Sequence, residues 1–256
     1  MFSPRIIPVL LYKNSGLVKS VKFKNYTYIG DPINAVRIFN ECFADEIIIL
    51  DIDASKKNAT IELQLVKEVG EEANMPFSVG GGIDSIQKIY ERLKNGAEKV
   101  IINSAALRHP DFVKDASDNF GSSTITVCVD IKKSLLGKYQ VYSHRENKLL
   151  GINYIDYIKK IEDAGAGEII IQSVDNDGVM KGYDVKLYES LSKEINVPIV
   201  ALGGAGDIHD MEKLWSSSSV NSFSAGSMFV YFGKMKGVLI NYPKTNRNEF
   251  RKKFKG

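Results

Sequence analysis

The chain is poor in the residues that build disulfide frameworks and metal centres: two cysteines, three histidines and one tryptophan in 256 residues. Cys42 and Cys128 each stand alone inside an apolar run, without the spacing of a metal knuckle or a redox pair, and read as reduced core thiols. His109, His144 and His209 are scattered and read as solvated or satisfied side chains, so neither a metal site nor a cofactor is expected. No apolar run approaches the roughly 20 residues that span a bilayer, and Met1 to Lys13 lacks a signal-peptide layout. The expectation is a cytoplasmic protein without membrane contact. An excess of one charge is also missing, with 34 Lys and Arg against 31 Asp and Glu. From Lys244 onward six basic residues face only Glu249, so the rest of the chain is slightly acidic. That balance argues against a nucleic-acid partner and leaves Arg251-Lys252-Lys253 as a solvated end.

What is present is a globular composition, 44% apolar and 25% charged, enough for a sizeable core. Eight short runs rich in Ile and Val read as strands: Arg5–Leu11, Glu46–Asp51, Pro76–Val79, Lys99–Asn103, Thr124–Asp130, Glu168–Ser173, Pro198–Leu202 and Ser222–Ala225. Helical periodicity fills the gaps, with starts such as Asp31-Pro32 and Asp84-Ser85. Strands apolar on both faces, joined by long connections, imply parallel βαβ units. Eight units in this length predict one (β/α)8 barrel domain over residues 1–256, with an open doubly wound sheet as the rival.

An internal repeat favours the barrel. Glu46-Ile47-Ile48-Ile49 returns 122 residues later as Glu168-Ile169-Ile170-Ile171, Gly81-Gly82 as Gly203-Gly204, and the strand end at Asn103-Ser104 as Ala225-Gly226. Two half-barrels close on each other naturally, whereas an open sheet has no reason to repeat.

In such a barrel the chemistry gathers at the C-terminal strand ends, which makes Asp51, Asn103, Asp130, Ser173 and Asp175 candidates. Gly81 and Gly82 with Asn103 and Ser104, and Gly203 and Gly204 with Gly226 and Ser227, each combine a glycine turn with a small-residue helix start that can receive an anion. Two such cradles on opposite sides of one mouth suit a ligand with a phosphate at each end. A tight βα turn is the plainer reading of any one glycine pair.

Arg5-Ile6-Ile7, Val79-Gly80-Gly81-Gly82-Ile83, Asp175-Asn176-Asp177-Gly178, Gly203-Gly204-Ala205-Gly206 and Gly226-Ser227 together resemble the cyclase subunit of imidazole glycerol phosphate synthase over nearly the whole chain. The resemblance implies a partner glutaminase whose ammonia crosses the barrel. There it reacts with a bisphosphorylated ribulosyl aminoimidazole substrate, giving imidazole glycerol phosphate and an aminoimidazole carboxamide ribotide. It assigns Asp130 as one of two proton-handling carboxylates, Lys19 as a substrate-positioning lysine, and Asp177 and Gly178 to the phosphate-binding set. It also implies that Arg5, Glu46, Lys99 and Glu168 form an ammonia gate at the amino-terminal face, where the glutaminase docks; strand-start charges that simply face water are the plainer reading.

One position departs from the family. The second carboxylate should end strand one, where this chain has Leu11, and sliding strand one onto strand five pairs Leu11 with Asp130 and Lys13 with Lys132. An isobutyl group moves no proton. Asp51 or Asp177 is a candidate substitute. A second reading therefore stays open: an ammonia-delivering partner of a sugar amidotransferase in surface-polysaccharide or flagellar glycan synthesis. The opening Ile7-Pro8-Val9-Leu10-Leu11 and Gly16-Leu17-Val18-Lys19 resemble such paralogues. A sugar-phosphate isomerase of the same superfamily is a weaker third, since it too wants a carboxylate at strand one. Two excursions complete the pattern: Tyr12 to Gly30, a long loop whose lysines read as a lid or as a solvated surface, and Lys138–Leu150, a β-hairpin after strand five.

Overall fold

The computed structural model describes residues 4–233 and 235–243. The basic tail beginning at Lys244 lies outside them. Eight strands form the barrel wall: β1 (Arg5–Lys13), β2 (Ile47–Asp51), β3 (Phe77–Gly80), β4 (Lys99–Ile102), β5 (Ile125–Lys133), β6 (Glu168–Ser173), β7 (Ile199–Leu202) and β8 (Ser222–Ala225). Each pairs in parallel with the next, and β8 returns to β1 through Arg5↔Ser222 to Pro8↔Ala225, so no edge is left open. This closed (β/α)8 TIM barrel excludes the open doubly wound sheet.

Helices α1 (Pro32–Glu41), α2 (Leu63–Glu72), α3 (Ile86–Lys94), α4 (Ser104–Arg108), α5 (Asp111–Phe120), α6 (Tyr154–Asp163), α7 (Val185–Leu191) and α8 (Ile208–Ser217) fill the connections up to β8. Asp31 caps α1 by accepting from the Asn34 amide at 2.8 Å, with Pro32 at the first helical position, and Ser85 caps α3 by accepting from the Lys88 amide. After β8 the described chain forms a 3₁₀ turn and a small hairpin rather than a further α-helix.

The continuous Ile and Val runs split by parity. In β2 and β6, Ile47, Ile49, Ile169 and Ile171 face outward into the layer shared with the helices, while Ile48 and Ile170 face the axis. The axial cluster is Ile7, Val9, Ile48, Ile101, Cys128, Ile170, Val200 and Leu202, with Leu11 and Leu50 packed on it toward the mouth. Cys128 is thus a barrel-core thiol. Cys42 caps the end of α1 against the outer core.

Below this plug the same inward parity carries Arg5, Glu46, Lys99 and Glu168. Arg5 donates to Glu46 at 2.8 Å and to Glu168, and Lys99 lies 3.0 Å from Glu168 and 3.8 Å from Glu46, so the four charges close into a ring. Ser222 and Ser78 add hydrogen bonds to Arg5 and Glu46. Burial works against the Arg5 charge, but Glu168 and Glu46 outweigh it and hold the guanidinium above its ordinary pKa. For Glu46 burial prevails and raises the carboxyl despite Lys99 and Arg5. These charges face one another across the axis rather than merely standing at strand starts.

Breaking a dry ion pair costs about 3–5 kcal/mol, and the Arg5 side chain is 31% exposed, which lowers that figure. Glu168→Ala is expected to cost about 2 kcal/mol in urea unfolding, with part recovered in Lys99→Met/Glu168→Leu, where charges leave as a pair. Additive losses would mean the ring is not coupled.

Candidate active site

At the C-terminal ends of the strands lies a cleft of about 1380 Å³, open to solvent. Its floor is the top of the axial plug, including Val9, Leu11, Leu50, Ile101, Cys128 and Leu202. Asp130 enters from β5, two positions beyond Cys128 and therefore on the same face. It is 5% exposed and accepts from Asn103 Nδ2 at 3.0 Å. Burial pushes its carboxyl up to about 7; the Asn103 hydrogen bond opposes this and nearby Asp177 adds to it.

The segment after β1 is not the long loop expected of Tyr12 to Gly30. It is a two-stranded ribbon, Gly16–Val21 with Lys24–Gly30, continuing β1 through Leu11↔Val18 and Lys13↔Gly16. The fold separates the lysines of this segment: Lys22 in the turn and Lys24 are exposed, Lys13 at the end of β1 pairs with Asp53 at 3.0 Å, and Lys19 is turned in and 3% exposed. Lys19 donates to the Val9 carbonyl, and a Cβ on Gly226 would lie 2.5 Å from its Nζ, so the glycine makes room for the ammonium. Burial lowers the Lys19 pKa to about 8, with Asp177 pulling the other way.

Asp177 accepts from Ser20 Oγ at 3.0 Å and from the Phe23 amide at 3.4 Å, so this carboxylate anchors the ribbon to the turn after β6. Burial raises its pKa. Asp51 is occupied on one oxygen by the amides of Asp53 and Ala54, both at 3.0 Å. Leu11 lines the cleft among these groups and adds only apolar surface.

Gly81, Gly82, Asn103 and Ser104 line one side of the cleft, and Gly178, Gly203, Gly204, Gly226 and Ser227 another. Gly82 at φ +65° and Gly204 at φ +116° need glycine twice over, because a Cβ would meet the Ala59 carbonyl oxygen at 1.9 Å or that of Gly182 at 2.2 Å. The repeat seen in sequence is thus a repeat of close backbone approach.

Ser173 and Asp175 do not join the cleft. Ser173 has the outward parity of Ile169 and Ile171, and Asp175 accepts from the Lys133 amide at the rim. Gln172, in phase with Glu168 and Ile170, occupies the mouth instead, which period-two counting from Glu168 would have found. His144 is satisfied rather than solvated, and it sits at the cleft. The hairpin after β5, Tyr139–Ser143 with Lys148–Leu149, carries it into the cleft beside Arg145, edge-on to Phe23 at 5.0 Å between ring centroids. Burial, helped by Lys56, lowers its pKa to about 4, so it is neutral. No sequence spacing signals this contact, which depends on the hairpin folding back. His209 is exposed and partnered by Glu212 at 2.9 Å. No helix among the described residues is long and apolar enough to cross a membrane.

Residues 5–236 match the family described as histidine biosynthesis protein. A Leptospira interrogans protein named "Putative imidazole glycerol phosphate synthase subunit HisF" is 43% identical over 97% of this chain and 98% of its own. A Pseudomonas aeruginosa protein named "Putative imidazole glycerol phosphate synthase subunit hisF2" is 42% identical over 96% and 98%. The "Imidazole glycerol phosphate synthase subunit HisF" of Bacillus cereus is 37% identical over 94% and 97%. With its closed barrel and this end-to-end similarity, the chain belongs to the histidine-biosynthesis family of imidazole glycerol phosphate synthase HisF-type cyclase subunits.

Proposed function

We propose that this protein receives ammonia from a glutaminase docked at the amino-terminal face, passes it along the barrel axis, and adds it to a bisphosphorylated ribulosyl aminoimidazole substrate held across the mouth. The observation that carries this reading is the order of layers on one axis: a closed ring of four charges, an apolar plug, then Asp130 and Lys19. Ammonia is small and neutral and crosses apolar surroundings at far lower cost than ammonium, so an ionic constriction followed by a dry interior suits its transfer. The glycine cradles suit the terminal phosphates.

Addition of ammonia to a ketone carbonyl needs a proton delivered to oxygen and protons removed from nitrogen. At neutral pH Asp130, poised at about 7, is present in both protonation states, and Lys19, at about 8, can release a proton. In this reading the two together take on the work shared elsewhere in the family with a carboxylate at Leu11. Asp177 remains near enough to bias both, although its hydrogen bonds hold it in an anchoring role.

Leu11 also favours a second reading, in which cyclisation is lost and the barrel delivers ammonia to a sugar amidotransferase at its mouth. Turnover with free ammonium separates the two, since it bypasses every partner: robust imidazole glycerol phosphate formation defeats the conduit, and none defeats the cyclase. Where activity is present, Asp130→Asn is expected to lower kcat by about 10²–10⁴. Leu11→Asp is expected to raise a weak rate about tenfold or more if the remaining groups are in place.

The Asp130 shift also sets a stability trend. Its folded pKa lies above the unfolded value, so between the two the folded chain binds the extra proton; stability falls as pH rises toward about 7 and is level above it. Asp130→Asn can keep the Asn103 contact and removes the penalty. It should therefore exceed wild type by on the order of 2–4 kcal/mol at about pH 8 and nearly match it at about pH 4 in urea unfolding. Equal stability at both pH values would contradict this burial cost.

A further inference from the structure

Two arginines at the mouth belong neither to the glycine cradles nor to the proposed proton-handling pair: Arg108, which lies 4.0 Å from Asp84, and Arg145. Arg145 lines the cleft, half-buried, and its Nη2 donates to Asn58 Oδ1 at 2.8 Å. Among the described residues its recorded partner is this neutral amide and not a carboxylate. A guanidinium carries five N–H donors in a planar fork, so most of its capacity is left for solvent or a ligand. Holding a half-buried cation without a counter-charge costs free energy that a ligand acceptor can offset.

Its neighbours narrow the ligand. His144 is adjacent in sequence, lines the same cleft and rests edge-on against Phe23. Tyr26 completes an aromatic side of the cleft, its ring 4.4 Å below the Lys13 ammonium. The imidazole is neutral, so it adds no second charge for a phosphate. With Lys13 engaged by Asp53, the guanidinium fork beside a neutral ring and two aromatic side chains is matched to a flat, uncharged, polar group with an acceptor oxygen.

We infer that Arg145, with His144, Phe23 and Tyr26, forms a third subsite that reads the carboxamide-bearing heterocycle between the two phosphates of the ligand. This rests on the proposed cyclase reading and specifies which residues distinguish its substrate from other sugar phosphates. The fork of Arg145 would hold the carboxamide oxygen while the cradles hold the phosphate ends.

The test compares two ligands sharing a ribose and a 5-phosphate: aminoimidazole carboxamide ribotide and ribose 5-phosphate. Isothermal titration is run on wild type, Arg145→Ala and Arg145→Lys. Loss of one charge-assisted hydrogen bond predicts a weakening of about tenfold or more for the carboxamide ribotide in Arg145→Ala, partial retention in Arg145→Lys, and little change for ribose 5-phosphate. The second ligand also reports that the variant is folded. Equal weakening for both ligands would make Arg145 a general phosphate attractor, and unchanged affinities would make it a bystander; either overturns the subsite. If wild type binds neither ligand, the cyclase reading itself fails and the subsite with it.

Discussion

Everything at the working end of this molecule depends on one geometric constraint: a closed eight-stranded barrel sends every second residue of each strand to a common axis. Four charges, eight apolar side chains and the mouth residues Asn103, Asp130 and Gln172 are stacked because they share that parity. Arg5, Ile7, Val9 and Leu11 occupy successive levels of one strand; Glu168, Ile170 and Gln172 do the same on another. A one-residue slip in β1, β2, β4 or β6 would send its ring charge outward and an aliphatic side chain of the outer layer inward. The ionic ring and the polar residues of the mouth are therefore not independent features, since register places both.

The parity also explains which parts of the site were legible in the sequence. The glycine pairs repeat at a fixed offset because each must admit a carbonyl oxygen where a side chain would sit, and that steric demand leaves a mark in residue identity. The charges at 5, 46, 99 and 168 were singled out by the resemblance, and they close into a ring because a charge at the inward start of a buried strand needs partners. Choosing the last polar residue of each run failed at β6, because Ser173 ends the run but has outward parity, while Gln172 has the inward one. His144, Arg145 and the burial of Lys19 were illegible. All depend on ribbons folding back over the mouth through contacts such as Phe23 with His144, which no local period encodes. The strand starts at Ile47, Phe77, Ile125 and Ile199 each lie one residue inside the sequence expectation, where the chain turns into the wall before pairing begins.

Leu11 is where the sequence departs from the pattern its resemblance implies, and its effect on the mouth is to keep the floor apolar. The mouth holds an acid raised to about 7 and a base lowered to about 8, and in both burial is the dominant cause. Desolvation drives acids up and bases down, so one dry environment brings both pKa values toward neutrality. A carboxylate at position 11 would place an ionisable group on the apolar floor, where burial would raise its pKa as it does that of Asp130. The isobutyl group keeps the floor apolar instead. An apolar side chain at position 11 thus preserves the dryness that shifts both Asp130 and Lys19 toward neutrality.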